Sequence, residues 1–416
     1  MGVATTYNPD AIPGFFPMSR FKALLLLLFV AAAAIPPAFS QDPADDIDPA
    51  TGLARTTVVR PLREGAPAPD PRSAAAREAG IPAQAKPHIA LILPTTSPQL
   101  GRVADAVRLG FLAAVEASGA GAPPVIFMPV ESEGQPLLDA CRFAQRAGAV
   151  LVVAGLTRDG ATALARSDCP RQPVLALNEP QGFGAPSGAG PGDLPANLYH
   201  VSLSLEQEAR QAALLAVSDG WHSAIVISSP SPLARRVQES FEREWMRAAG
   251  EVRRVSFSGN LDEAQALKER IANTRGDMVF LALDTPEARA VRPYLGGALP
   301  VYATSMSVDP RAEALVNVDL QGVRYVEMPW FVQPDHPAVM VYPVPKGAGS
   351  SDQERLYALG IDAFRLSLLM LRPEPPRGPL DGVTGRIVLG AGNGFIRTLT
   401  PAEVDNGRVV AIKGAQ

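Results

Sequence analysis

The chain has 416 residues, enough for two domains of ordinary size, and 47% of them are hydrophobic against 19% charged. Its formal net charge of −4 shows no basic excess of the kind that nucleic-acid-binding proteins carry. Two cysteines and four histidines are too few for a cysteine-rich zinc cluster or a multi-disulfide scaffold.

The beginning of the chain has the pattern of a secretory signal. A basic segment at 18–22 precedes an uninterrupted apolar run, Ala23–Ile35, and small residues precede Gln41. This order predicts a signal peptide over 18–40, with residues 1–17 a mis-assigned extension. The apolar run of 13 residues is short for a membrane span, which needs about 20. No cysteine follows it to receive a lipid, so we expect a soluble periplasmic protein with no membrane span after cleavage.

The next segment, 41–87, has the composition of a disordered tether. It contains 8 Pro and 11 Ala and no Phe, Tyr, Trp or Met. Such a segment cannot bury enough apolar surface to offset the entropy of ordering it.

A first series of apolar strands and amphipathic helices begins at His88. The predicted strands are 88–94, 125–128, 149–153 and 173–177, and the predicted helices are 99–118, 136–147 and 159–167. Nearly all-apolar strands that alternate with helices indicate a parallel sheet covered on both faces.

A second series of the same kind follows a crossover around 199–203. The predicted strands are 224–228, 252–257, 278–283 and 301–304. N-cap signals at Ser204, Ser231 and Asn260, and the pair Thr285-Pro286, begin the helices between them. A tail adds a strand at 323–327, a helix at 351–371 with the capping box Ser351-x-x-Glu354, and hairpin-like runs around 390–394.

Two tandem series predict an α/β fold in which two doubly wound, Rossmann-like lobes form a bilobed clamshell. We assign 88–203 and about 323–372 to the first lobe, and 204–322 and about 382–412 to the second.

Cys141 and Cys169 are the only cysteines, and 27 residues separate them. In an oxidising compartment this pair predicts a disulfide. The alternative is two buried free thiols. A catalytic cysteine has the least support, because no histidine lies near either residue in sequence.

The sequence shows no catalytic motif. It contains no Walker A, G-x-S-x-G or H-E-x-x-H motif, and the Gly-rich runs 188–192 and 390–394 lack dinucleotide-binding spacing. The only Ser-x-x-Lys lies at 19–22, inside the signal peptide. The histidines are scattered, at His88, His200, His222 and His336. We therefore predict a non-enzymatic protein without a metal or cofactor.

In a clamshell of this kind, ligands bind between the lobes at the carboxyl ends of the strands. The polar residues predicted at those ends are Thr95, Thr96, Thr157, Asn178, Ser228, Ser229 and Asp284. Hydroxyl groups and helix N-termini are suitable partners for a ligand carboxylate. The alternative is that these residues only cap helices, and for Asp284 capping alone is a sufficient explanation.

Several segments resemble known proteins. Four segments look like parts of the type 1 periplasmic-binding-protein fold: 89–94, 108–114, 154–157 and 173–178. Three segments of the tail resemble the LppC/LpoA family of penicillin-binding protein activators: 355–365, 382–389 and 406–410. The resemblance covers roughly 87–412. It implies a non-enzymatic envelope protein that binds a class A penicillin-binding protein and stimulates peptidoglycan synthesis.

Two functional hypotheses follow. The first is this periplasmic regulator of cell-wall synthesis. The second is a solute-binding protein of an ABC transporter, for a small polar solute such as an amino acid. Amino-acid binders of the resembled fold carry a Ser/Thr cluster after the third strand, whereas 156–159 offers one hydroxyl, Thr157, and the fourth strand is followed by Asn178-Glu-Pro. This difference favours the regulator.

Overall fold

The computed structural model describes residues 86–183, 193–248, 250–260, 263–345, 349–373 and 378–412. The predicted signal peptide, the tether up to residue 85 and the Gly-rich run 188–192 lie outside these residues.

Fifteen strands and ten helices are labelled in chain order within the described ranges. The strands are β1 (His88–Leu93), β2 (Val125–Pro129), β3 (Ala149–Ala154), β4 (Val174–Ala176), β5 (Leu198–Val201), β6 (Ser223–Ser228), β7 (Glu251–Ser256), β8 (Met278–Ala282), β9 (Val301–Tyr302), β10 (Val323–Glu327), β11 (Leu380–Asp381), β12 (Arg386–Leu389), β13 (Gly394–Thr398), β14 (Thr400–Asp405) and β15 (Arg408–Ala411). The helices are α1 (Gly101–Ser118), α2 (Gln135–Arg146), α3 (Arg158–Ala165), α4 (Leu205–Ser218), α5 (Pro232–Ala248), α6 (Ala264–Ala272), α7 (Thr285–Val291), α8 (Ala314–Asn317), α9 (Pro329–Val332) and α10 (Ser351–Met370).

The strands form two sheets, one in each lobe, which confirms the predicted fold class. The order in the first lobe is β11-β12-β13-β5-β4-β3-β1-β2, and in the second it is β15-β14-β10-β9-β8-β6-β7. Strands β1 to β5 pair in parallel, as do β6 to β10. Central strands such as Ile89–Leu93 and Met278–Ala282 are buried along their whole length, as expected for a sheet covered by helices on both faces.

The tail is divided between the lobes differently from the prediction. Strand β10 belongs to the second sheet, where it pairs with β9 and β14, although 323–372 was assigned to the first lobe. Strands β11 to β13 belong to the first sheet, and only β14 and β15 join the second, although 382–412 was assigned to the second lobe. A hairpin pattern specifies local pairing but not the sheet edge that the hairpin joins.

Two of the predicted helix starts are shifted. Helix α10 is capped by Ser350, whose side chain accepts the N–H of Gln353, rather than by a box that begins at Ser351. Helix α6 begins at Ala264 with Glu263 in the N-cap position, rather than with Asn260 as its cap. The cap at Ser204 is confirmed, because its hydroxyl accepts the N–H of Gln207.

Helices α1 and α10 pack closely through two glycines. A Cβ at Gly110 would overlap the carbonyl of Tyr357, and a Cβ at Gly360 would overlap the carbonyl of Val107. The edge-to-face pair of Phe111 and Phe364 fills the space beside them. The backbones can approach this closely only because neither glycine carries a side chain.

The predicted disulfide is confirmed. Cys141 of α2 is bonded to Cys169, which precedes β4, with the two Cα atoms 6.2 Å apart. Both residues are buried in the first lobe. The bond fixes α2 against the loop after α3.

Candidate functional site

Four of the seven predicted cleft residues lie at the carboxyl edge of the first sheet. Thr95 and Thr96 follow β1, Thr157 follows β3, and Asn178 follows β4. Thr157 is the N-cap of α3, and its Oγ1 accepts a first-turn backbone N–H at 3.0 Å. The amide of Asn178 donates to the carbonyl of Leu156 at 3.0 Å. Two of the four therefore have structural partners, whereas Thr96 is exposed.

The other three lie at the carboxyl edge of the second sheet. Ser228 ends β6, Ser229 follows it, and Asp284 follows the adjacent strand β8. The hydroxyl of Ser228 donates to Gln238 Oε1 at 2.6 Å. Asp284 forms a reciprocal capping box with Glu287 at the start of α7. Capping accounts for Asp284, and Ser229 is buried.

A carboxylate that the sequence does not reveal binds the backbone just before α3. Glu133 lies in the loop after β2 and is buried. Its two oxygens accept the backbone N–H groups of Leu156 and Thr157, each at 2.6 Å. Burial raises the pKa of the Glu133 carboxyl, and these hydrogen bonds oppose the shift. A free helix N-terminus attracts anions. Here the chain supplies the anion itself.

The first turn of α3 also connects the two lobes, through Glu206. This residue lies in the first turn of α4, and its Oε1 accepts from Arg158 of α3 at 2.7 Å and from Arg236 of α5 at 3.0 Å. Burial alone would raise the pKa of Glu206, but hydrogen bonds from its own backbone, Arg158 and Ser204 outweigh it and lower the pKa to about 2. An ionised carboxylate thus bridges the lobes.

A buried cluster of charges lies where the chain passes between the lobes. Glu327 ends β10, and its carboxylate accepts from Arg355 of α10 at 2.7 Å and from the N–H of Met328 at 2.9 Å. Glu208 of α4 accepts the N–H of Ser305 at 3.0 Å. Burial and the charge of Glu327 both raise the pKa of Glu208. Burial lowers the pKa of Arg355, but the two glutamates outweigh it and raise that pKa.

Arg397 and Gln211 connect two of the crossovers at this junction. Arg397 of β13 is fully buried, and its Nε donates to the carbonyl of Ser202 at 2.8 Å. Gln211 of α4 donates to the carbonyl of Arg397 at 2.9 Å and accepts the N–H of Leu399 at 2.8 Å. Ser202 and Leu399 lie in crossovers between the sheets. Hydrogen bonds therefore link the lobes at the points where the chain crosses.

Two of the three tail segments that carry the family resemblance, 355–365 and 382–389, contact each other. Asp362 of α10 is fully buried and accepts the N–H of Val383 at 3.1 Å, and the N–H and hydroxyl of Thr384 at 2.8 and 2.7 Å. A Cβ at Gly382 would lie 2.6 Å from this carboxylate. Burial raises the pKa of Asp362, and Arg365 and Thr384 oppose the shift. These motif residues hold the tail turn against the helix.

The four histidines lie in different parts of the chain. His88 is in β1, His200 in β5, His222 before β6, and His336 after α9. In the ranges that the structure describes, no group of three His, Cys, Asp or Glu side chains is placed to hold a metal ion. None of the helices described there has the length and apolarity needed to cross a membrane.

Comparisons with known proteins identify relatives of this chain. The family model described as "LppC putative lipoprotein" matches residues 81–407. The chain is 24% identical over 327 residues to the penicillin-binding protein activator LpoA of Pantoea ananatis, and 26% identical over 314 residues to that of Klebsiella pneumoniae. These matches cover 67% and 66% of this chain, but 46% and 43% of the relatives. The chain thus spans less than half the length of these curated relatives.

Solved structures share the fold. The LpoA C-domain of Haemophilus influenzae, described as a regulator of PBP1A, has a TM-score of 0.63 at 23% identity, covering 78% of this chain and 99% of that one. Full-length LpoA of the same organism has a TM-score of 0.62 at 22% identity, covering 78% and 58%. A "putative branched-chain amino acid ABC transporter" from Chromobacterium violaceum has a TM-score of 0.64 at 34% identity, covering 76% and 100%.

Proposed function

Because the chain belongs to the LppC family, we propose that it binds and activates a class A penicillin-binding protein during peptidoglycan synthesis. It acts in the periplasm and catalyses no reaction itself. The penicillin-binding protein activators among its relatives support the activator role.

The observation that favours this proposal over solute binding is Glu133, which binds the backbone just before α3. Free backbone N–H groups at a helix N-terminus are suitable donors for the anionic group of a solute. Here the backbone N–H groups of Leu156 and Thr157 already bind Glu133. A solute carboxylate would have to displace a buried side chain that makes two short, charge-assisted hydrogen bonds. This arrangement supports a role that does not depend on such a solute.

The bridging contacts agree with a role that needs no ligand. Glu206 connects α3 to α5, and the junction adds the pair of Glu327 and Arg355. In a transport protein, the solute commonly supplies the contacts that favour the closed state. In this chain, its own carboxylates supply contacts between the lobes.

Equilibrium binding to the purified class A penicillin-binding protein of the same organism tests this proposal. The mature chain, from residue 41, is immobilised and titrated with the synthase. We expect saturable binding that resists removal of low-molecular-weight solutes by dialysis. Absence of binding at micromolar synthase would contradict the proposal.

A second candidate function is solute binding for an ABC transporter, and the 34% identity to the Chromobacterium violaceum structure favours it. In that case Thr95, Thr96, Ser228 and Ser229 would contact the ligand, with Thr157, Asn178 and Asp284 near it. Thermal-shift measurements with leucine, isoleucine and valine distinguish the two. A concentration-dependent rise in melting temperature supports transport, whereas an unchanged melting temperature supports the regulator.

A further inference from the structure

A groove runs across the junction of the lobes, on elements that the cleft does not use. We call it the α4–β13 groove. It has a volume of about 670 Å³, and its described walls come from α4 in the second lobe, from β13 in the first lobe, and from residues in 179–183 and 193–194. None of the seven predicted cleft residues lines it. Its volume falls in the range of about 300–1,000 Å³ that is typical of binding clefts.

Apolar side chains from both lobes are exposed in this groove. Leu214 of α4 is 49% exposed and Ile396 of β13 is 47% exposed, and both line it. Val388, the strand partner of Ile396, is 40% exposed on the same hairpin. Exposed large apolar side chains that cluster across two elements are typical of an interaction surface. This cluster spans both lobes, so an occupant would contact both.

The groove also contains a cation without a counter-ion. Arg210 of α4 is half-buried, and in the described part of the chain it makes no ion pair or side-chain hydrogen bond. Glu244, an acid of α5 in the same groove, pairs with Arg247 at 3.7 Å instead. Partly buried arginines are frequent energetic centres of protein interfaces. The group on a partner that would complement the Arg210 guanidinium is a carboxylate.

Two acidic residues line the groove from the first lobe. Glu179 and Asp193 are both exposed there, and among the described residues neither forms an ion pair. The groove therefore has a cation on the second lobe and acids on the first. An occupant that matches it carries a carboxylate, an apolar side chain and a cationic group.

We propose that the α4–β13 groove is the surface on which this chain docks its partner, and that the occupant is a segment of the penicillin-binding protein in which an apolar side chain lies between an acidic and a basic residue. This proposal rests on the proposed function, since it names the site of that binding. The apolar side chain packs between Leu214 and Ile396. The carboxylate faces Arg210.

Binding measurements on groove variants test the proposal. Leu214→Lys, Ile396→Lys and Arg210→Glu change exposed or half-buried groove positions, so we expect each variant to fold. Leu315→Lys, at a residue that is 82% exposed, and Arg235→Glu, at an exposed arginine, are matched controls outside the groove. Each groove variant should weaken the Kd for the purified synthase at least about tenfold, and each control less than about twofold.

The outcomes separate this proposal from the proposed function. If the wild-type chain binds the synthase and all groove variants bind equally well, the docking surface is wrong and the function stands. If the wild-type chain does not bind, both fail.

A photo-crosslinker placed at Ile396, with Leu315 as the control position, identifies the occupant by mass spectrometry. A crosslinked synthase peptide with an acidic residue beside an apolar one supports the assignment. A crosslinked peptide that lacks an acidic residue overturns it.

Discussion

Glu133 binds backbone groups that are distant from it in the chain. Its partners are the backbone N–H groups of residues 156 and 157, which lie 23 and 24 positions away. No motif relates a glutamate in one loop to the start of a helix in the next βα unit. By contrast, Thr157 and Asp284 were identified as possible caps because the signal is local to the helix that they begin.

Removing the Glu133 carboxylate should both destabilise the protein and create an anion site. In Glu133→Ala, two buried N–H groups lose their acceptor, which costs about 2–3 kcal/mol in the free energy of unfolding. Urea denaturation measures that loss. Added formate should recover part of it, because a small carboxylate can occupy the vacated position.

Glu131→Ala is the matched control for this change. Glu131 is exposed and two residues away, so its loss should change stability by less than about 0.5 kcal/mol and formate should have no effect. Equal formate responses in the two variants would show that the N-terminus of α3 is not the anion site.

Glu206 gives the protein a defined acid sensitivity. Its pKa is about 2 in the folded chain against an ordinary value of 4.5, so its contribution is full above about pH 4.5 and is lost as the pH falls towards 2. Partial solvent screening limits that contribution to about 1–2 kcal/mol. Glu206→Gln should lower the urea midpoint at pH 7 and flatten its decline between pH 4.5 and 3. An unchanged pH profile would indicate that the bridge to Arg158 and Arg236 does not form.

The packing of α1 on α10 leads to a prediction about helix glycines. Gly360→Ala would place a methyl group against the carbonyl of Val107, and the helices would have to separate. We expect a loss of about 3 kcal/mol or more in unfolding free energy, measured by urea denaturation. Gly297→Ala is the control, because a Cβ there meets nothing within 4 Å. Equal stabilities of the two variants would rule out the close approach of the helices.

At the level of elements, the position of a strand could be predicted from the sequence more accurately than the sheet to which the strand belongs. Strand β10 was placed at 323–327, as the structure has it, but in the wrong lobe. Apolar periodicity reports that a strand is buried, whereas its neighbours depend on contacts with distant segments. The contacts at the junction of the lobes also depend on distant segments. Glu327 and Arg355 are 28 residues apart, and Gln211 and Arg397 are 186 residues apart. Such pairs leave no local pattern.

For the whole molecule, the disulfide is expected to contribute to stability but not to the interface. Its loop of 27 intervening residues would stabilise the folded chain by about 3–4 kcal/mol in the chain-entropy model. Alkylation of the protein without reduction, followed by mass spectrometry, should detect no free thiol. After reduction, the urea midpoint should fall, while affinity for the synthase at low temperature should change little, because neither cysteine lines the α4–β13 groove. Two alkylated cysteines in the unreduced protein would contradict the bond.

At the scale of the whole molecule, carboxylates of the chain itself link the two lobes. The charges at the cleft edge and at the junction are paired within the chain. The exposed apolar side chains of Leu214 and Ile396 and the unpaired Arg210 lie together in the α4–β13 groove. This distribution supports the proposed function as a protein-binding regulator. A solute receptor would show the reverse arrangement, with unpaired groups in the cleft.

The rate of glycan-strand synthesis by the purified class A penicillin-binding protein tests the central claim most directly. It is measured with and without an excess of the mature chain, and with Arg210→Glu and Arg235→Glu in parallel. We predict that the wild-type chain and Arg235→Glu accelerate synthesis and that Arg210→Glu does so far less. An unchanged synthesis rate in the presence of the wild-type chain would contradict the assignment of this protein as an activator.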